Sequence, residues 1–186
     1  MEKNNYLVIY IGIFGILLVL LGLNSCGKEV RGCRDVLAET YDAKATASDE
    51  TLCVYAKDKF IGDYKGTFIC PNALSTVFNN PDFSYSISET VAGNVNQVTL
   101  RLPVLGVPTN FAGRVEGSGL TVDQIFKDLP FTIPGGSTPI KVDLIAKGTL
   151  NLGSDKKTIT GLINLDIKQA GNTLAVDNCP ITGTKQ

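Results

Sequence analysis

The stretch Ile140-Lys141-Val142-Asp143-Leu144-Ile145-Ala146-Lys147-Gly148-Thr149-Leu150-Asn151-Leu152 decides the fold, read with Gly153-Ser154-Asp155-Lys156 and then Lys157-Thr158-Ile159-Thr160-Gly161-Leu162-Ile163-Asn164-Leu165-Asp166-Ile167-Lys168. Val142, Leu144, Ala146, Leu150 and Leu152 recur at period two, as do Ile159, Ile163, Leu165 and Ile167, with a polar turn between the two runs. Side chains alternate faces along a strand, so the pattern predicts an antiparallel hairpin with one apolar face.

The alternation repeats outward from this hairpin. Phe60, Gly62, Tyr64, Gly66, Phe68 and Cys70 share a face, and further runs follow at 82–91, 97–102, 111–117, 120–126 and, after Gln169-Ala170-Gly171-Asn172, at 173–181. Glycines inside the runs, at 62, 66, 113, 148 and 161, supply the bends that closure needs. The expectation is an all-β, antiparallel up-and-down barrel of about eight strands, with a β-sandwich as the alternative. No ten-residue stretch carries a helical stripe. Tyr64-Lys65-Gly66-Thr67, the Pro-rich middle and the Lys147-Gly148-Thr149-Leu150 to Ile163-Asn164-Leu165-Asp166-Ile167 hairpin resemble the calycin-like domains of small exported proteins from Bacteroidota-type bacteria. The resemblance spans residues 60–168 and implies a lipocalin-type barrel and no particular activity.

At the other end of the chain, an apolar run from Tyr6 to Leu23 closes on Leu23-Asn24-Ser25-Cys26. A run of this length just suffices to span hydrocarbon, which makes a transmembrane anchor the rival reading. The small residue before Cys26 and the lack of a stop-transfer charge cluster after it favour a cleaved segment. The tetrad resembles the lipobox of bacterial lipoprotein signal peptides, which implies removal of residues 1–25, acylation of Cys26 and anchorage in a bacterial cell envelope, at the outer membrane. The remaining 160 or so residues fit a lipidated N-terminus with a stapled loop over 26–56 and one barrel domain over 57–186.

Of five cysteines, setting Cys26 aside leaves Cys33, Cys53, Cys70 and Cys179. In an oxidising compartment four cysteines allow three pairings, of which Cys33–Cys53 with Cys70–Cys179 is favoured and a Cys53–Cys70 link stays open. By chain entropy the short loop contributes about 3 kcal/mol and the long one about 5 kcal/mol. Cys33-Arg34-Asp35, Tyr41-Asp42, Ala45-Thr46 and Asp49-Glu50 ahead of Cys53 resemble a cysteine-bounded module of exported proteins from the same bacteria. Asp35, Asp42, Asp49 and Glu50 offer carboxylate oxygens of the kind calcium takes, against the plainer reading of a solvated loop.

Composition excludes several activities. There is no His, Met occurs only at position 1, and formal net charge is −1 with no basic stripe, which argues against zinc chemistry, Ser-His or Cys-His catalysis and nucleic-acid binding. Ser154-Asp155-Lys156-Lys157 fits SxxK, but in a strand-flanked turn the Lys cannot sit one helical turn from the Ser. Gly117-Ser118-Gly119 lacks the spacing of a nucleophile elbow. The chain is expected to be non-catalytic and to need no cofactor.

In an up-and-down barrel alternate connections share a rim, which puts residues 71–81, 103–110 and 127–139 together, opposite shorter connections near 92–96, 118–119 and 153–156. Phe78, Val104, Leu105, Val107, Leu129, Phe131 and Ile133 on these connections either line a binding mouth or fold inward as a cap. Two functions follow: a lipid-anchored module binding an apolar molecule or envelope protein, or a docking component with a filled core. Large side chains at Phe68, Phe83, Tyr85 and Phe111 discriminate, because turned inward they plug an eight-stranded barrel.

Overall fold

The computed structural model describes residues 28–90, 94–104, 107–132 and 138–186. Two compact units emerge: one takes the chain through Asp35 and again over Tyr41–Cys53, the other holds Val36–Thr40 and Val54–Gln186. Cys26, Leu105 and Ile133 lie outside the described residues.

In the first unit a short parallel pair, β1 (Arg31–Gly32) with β2 (Ala47–Ser48), is closed by the Cys33–Cys53 disulfide. The intervening loop is ordered by its own polar groups. The Asp42 carboxylate accepts from the Lys44 N–H at 2.8 Å, and Asp49 caps the 3-10 turn Glu50–Leu52 by accepting from Thr51 Oγ1 at 2.6 Å and its N–H at 3.1 Å. These Thr51 bonds, the hydroxyl's first, hold the Asp49 carboxyl below its usual range.

The second unit is the barrel. A 3-10 turn, Ala56–Lys59, leads into β3 (Gly62–Ile69), β4 (Asn79–Glu89), β5 (Gln97–Val104), β6 (Val107–Glu116), β7 (Gly119–Phe131), β8 (Ile140–Leu152), β9 (Thr158–Gln169) and β10 (Asn172–Lys185). Each strand pairs antiparallel with the next, and β10 closes on β3. The expected eight strands are therefore present in up-and-down order, not as a sandwich.

Alternation places the apolar set inside. Phe68, Phe83, Tyr85 and Phe111 are all at most 4% exposed, as are Leu100, Leu120, Leu150, Ile159 and Ile163. Tyr64 and Tyr85 stack with ring centroids 5.2 Å apart, and Phe83 lies tilted between Phe68 and Tyr85. Gly183 makes room for this stack, because a Cβ there would collide with the Tyr85 hydroxyl. The outer face carries Lys65, Arg101, Arg114, Asp123 and Lys147, the reverse of a membrane-spanning barrel, whose apolar band faces out.

Closure runs through the last pair. Ile181 faces Phe68, Gly183 faces Gly66 and Lys185 faces Tyr64, and two residues further along the same register Cys70 meets Cys179 in a disulfide. This register fits within the chain because β3 begins at Gly62, after Phe60, and β10 continues to Lys185, beyond the 173–181 run expected from sequence. The Gln186 N–H still reaches the Asp63 carbonyl at 3.0 Å.

Both ends are plugged by local chain. At one, Phe60 is fully buried after the 3-10 turn and its carbonyl accepts from the Tyr64 hydroxyl at 2.7 Å, while buried Lys57 pairs with Glu89. At the other, the connection after β3 folds in Leu74 and Phe78. Asp177, 2% exposed, sits among the inward-facing residues of β10 and holds that connection, accepting from Asn72 N–H at 2.8 Å, Asn72 Nδ2 at 3.0 Å and Leu74 N–H at 3.2 Å.

Candidate functional site

The barrel wall is not uniformly zipped. β8 and β9 pair from Asp143 opposite Lys168 to Leu152 opposite Ile159 without interruption. The β4–β5 ladder, by contrast, covers only Ser86–Glu89 with Val98–Arg101, and the β6–β7 ladder only Gly113–Glu116 with Gly119–Val122. Between these seams β5 and β6 stay paired to each other over their whole length, down to Val104 opposite Val107. The far half of the β5–β6 hairpin is thus an arm joined to the barrel sheet only at its base.

A proline at one seam and a side-chain acceptor at the other explain where the ladders stop. In an antiparallel ladder successive residues point their N–H and C=O alternately to one neighbour and the other. Pro103 and Pro108 stand opposite each other in the β5–β6 register. Neither has an N–H, so this pair is one that points away: Pro103 towards β4 and Pro108 towards β7. Val115 N–H bonded to the Asn96 carbonyl across the same hairpin fixes this parity. Along β4–β5 the bonded pair after Ser86 and Arg101 would be Ser84 with Pro103, and its donor is missing. On the other seam the Ala112 N–H, which points at β7, is taken by the Gln124 side-chain oxygen at 2.7 Å. The β7–β8 register turns the backbone of Pro130 to the same seam, beyond a bulge between Phe126 and Leu129 where Asp128 has φ 56°.

Each opened seam has a groove on the outer face. One, of about 460 Å³, lies among Lys65, Ser84, Ser86, Arg101, Pro103 and Pro108. The second, about 470 Å³, lies among Ala112, Gly113, Arg114, Thr121 and Asp123. Their charges are mixed: Lys65 pairs with Asp82 at 3.0 Å, Arg114 with Glu116 at 3.0 Å and Asp123 with Lys147 at 3.2 Å. Under the arm the contacts are apolar: Leu102 and Val104 are buried, and Phe111 meets Phe126 edge to face at 4.9 Å.

Residues expected at a mouth are distributed differently. Phe78, Val104 and Phe131 are buried in the core and Leu129 packs partly against it, so these side chains cap the interior. Val107 opens β6 opposite Val104. The expected loop 103–110 is instead mostly strand, and strands also advance to Phe131 and back to Asn79, so the built-out rim is smaller than anticipated. Among the described residues no three His, Cys, Asp or Glu side chains gather as a metal site, and Asp42 and Asp49 are engaged in turns; the calcium expectation gains no support from the geometry. Sequence reasoning missed the two seams and Asp177. The symmetric Pro103-Val104-Leu105-Gly106-Val107-Pro108 run held the signal for the seams, since a two-residue turn between Val104 and Val107 sets its prolines opposite each other.

Burial pushes the Tyr64 hydroxyl up to about 12, and burial followed by the neighbouring Tyr64 raises that of Tyr85 further. The Tyr85 hydroxyl is buried with no hydrogen-bond partner among the described residues. Compared with known protein families and with curated proteins, the chain matches none.

Proposed function

We propose that the protein is a lipid-anchored component of a bacterial cell envelope, beginning at an acylated Cys26, whose calycin-like barrel is a non-catalytic docking module working through its outer surface. The observation that carries this reading is the filled interior: Phe68, Phe83, Tyr85 and Phe111 occupy the space where a lipocalin-type barrel would hold a small molecule. The grooves lie outside, at the seams beside the β5–β6 arm, and are lined by polar and charged side chains with two prolines. The up-and-down order and the 3-10 turn plugging one end support the calycin-like assignment, and the Leu23-Asn24-Ser25-Cys26 tetrad supports the anchor.

Two measurements test the two parts separately. Intact mass of detergent-extracted protein is expected to show loss of residues 1–25 and a diacylglyceryl adduct on Cys26; an uncleaved N-terminus overturns the anchor. Titration with a long-chain fatty acid bearing a fluorophore is expected to give no stoichiometric binding, because Phe68, Phe83, Tyr85 and Phe111 leave no room inside for its chain. Stoichiometric, saturable binding to the unmodified barrel overturns the docking reading in favour of an apolar-ligand carrier.

A further inference from the structure

We infer that the turn at Val36 and Leu37 is a second membrane contact: with the acyl chains of Cys26 held in a bilayer, these two side chains enter its headgroup boundary. The inference rests on the lipid-anchor part of the proposed function and is independent of the docking part.

Composition and mounting set this turn apart. Val36 and Leu37 are 73% and 67% exposed and follow one another in a turn. Neither is of the Gly, Pro, Asn, Asp or Ser type whose backbone or side chain favours a turn, so chain geometry gives no reason for two aliphatic side chains there. Other exposed aliphatics alternate with polar residues along a strand face, as Ile125 does between Asp123 and Lys127 and Leu162 between Thr160 and Asn164. That is the ordinary state of an outer sheet surface. The turn is also held firmly from behind. Ala38 is buried, the Glu39 N–H donates to the Val54 carbonyl at 2.9 Å, the Val54 N–H donates to Thr40 Oγ1 at 2.9 Å, and the Glu39 carboxylate pairs with Lys59. A tip fixed in this way has little conformational freedom left to lose on insertion.

Chain length selects lipid as what the turn meets. Val36 follows Cys26 by ten residues, and a chain extends by at most about 3.6 Å per residue, so the turn stays within about 36 Å of the anchored residue. Its contact with the bilayer is then intramolecular in effect, at a high local concentration that lets the burial of two aliphatic side chains suffice. Charge does not oppose the approach. Over the intervening sequence Lys28, Arg31 and Arg34 outnumber Glu29 and Asp35, and Arg34, two residues before Val36, is exposed, a balance suited to anionic headgroups.

The chain has no Trp, so Leu37→Trp places a single indole reporter at an exposed position. The lipidated protein carrying it is reconstituted into vesicles of phosphatidylethanolamine and phosphatidylglycerol, part of whose acyl chains are brominated near the headgroup end. Indole emission is expected to be quenched about twofold or more by the brominated lipid, as for a side chain at the headgroup boundary. Leu162→Trp, on the outer face of β9, is expected to be unaffected. Equal emission of Leu37→Trp with and without bromine overturns the contact, whether the turn then faces water or another protein. Equal quenching at both positions also overturns it, since the whole surface would then lie against lipid without preference. Adding Val36→Asp to Leu37→Trp is expected to abolish the quenching; quenching that survives means that the indole alone drives insertion, and overturns the role of the native pair. Intact mass of the same preparation separates the two readings. A diacylglyceryl adduct on Cys26 with an unquenched indole sinks this inference alone, whereas a missing adduct sinks the anchor and this inference with it.

Discussion

Two ladders of the barrel, β10–β3 and β4–β5, end at a proline, and their fates differ. Between β10 and β3 the offending residue is Pro180. The Gln186 N–H bonded to the Asp63 carbonyl, and the Lys185 N–H to that of Lys157, show that even-numbered residues of β10 face β3, so Pro180 turns its missing donor to the closing seam. The ladder accordingly ends at Ile181 opposite Phe68. Two residues beyond, however, the Cys70–Cys179 disulfide takes over, and Asp177 then ties down the connection that follows β3. At Pro103 and Pro108 no bond of comparable strength follows. The same loss of a donor thus produces a sealed seam in one place and an opened one in another, and what decides is the residue placed next in register.

The largest expected effect breaks the sealed side. Replacing Cys70 and Cys179 together by Ser removes a link across 109 residues of sequence and is expected to cost about 4 kcal/mol in urea unfolding under oxidising conditions. A loss below about 1 kcal/mol would mean that packing alone closes β10 on β3, and the contrast with the arm would lose its cause. Next in size, Asp177→Ala withdraws the acceptor for three backbone N–H groups, those of Asn72, Leu74 and Asn178, and for the Asn72 side-chain amide in a buried site, with an expected cost of about 2–3 kcal/mol. Faster proteolysis within residues 71–78 should accompany it, with the β5–β6 arm unaffected.

A smaller effect sharpens the comparison from inside the wall. Gly183→Ala drives a methyl into the Tyr85 hydroxyl beside the same closing strand and is expected to cost about 1–3 kcal/mol. Tyr85→Phe by itself should cost little, since that hydroxyl has no partner among the described residues, and in the Tyr85→Phe background the Gly183→Ala penalty should shrink measurably. Strict additivity of the two changes would show that the strand shifts to accommodate them separately.

How much of this was legible before the structure depends on which physical term sets each feature. Period-two alternation is a local signal, and it located all eight strands, while the even remainder of cysteines pointed to the pairing seen. Strand ends were misjudged where polar residues continue a ladder: β10 runs on through Thr182, Gly183, Thr184 and Lys185 because backbone pairing to β3, not side-chain hydrophobicity, extends it. The 103–110 stretch carries two prolines, which ordinarily count against a strand. Here the alternation of backbone direction lets Pro103 and Pro108 sit in one, each with its deficient side turned away from the other. Asp177 was invisible because nothing in its neighbourhood distinguishes a carboxylate that will meet a loop more than 100 residues earlier in the chain.

The smallest effect is the one acid should produce, and it acts on the sealed seam only. Burial raises the Asp177 carboxyl, but the bonds from Leu74, Asn72 and Asn178 outweigh it and leave it below its ordinary value of 3.8. A group whose folded value is depressed contributes stability that is complete above its unfolded value and is lost as pH falls through the folded one. Between pH 7 and about 5 the carboxylate is ionised in both states, so nothing should change. Below about pH 4 the unfolded chain binds the proton first, and the clamp over β3 weakens. Asp155, held down to about 2 chiefly by the Thr158 hydroxyl in the β8–β9 turn, loses its contribution over an overlapping range. Comparison with Asp177→Asn separates the two, since Asp155 titrates in both proteins and cancels. The gap in urea midpoint between wild type and Asp177→Asn is expected to be constant from pH 7 to 5 and to narrow below 4. The arm gives the internal contrast: the Ala112 donor there is held by the Gln124 amide, which does not titrate, so exchange at Leu102 and Val104, corrected for its intrinsic pH dependence, should stay level while the Asn72–Phe78 connection loosens. If both regions loosen together as the pH falls, the carboxylate is not what sets the closing seam apart.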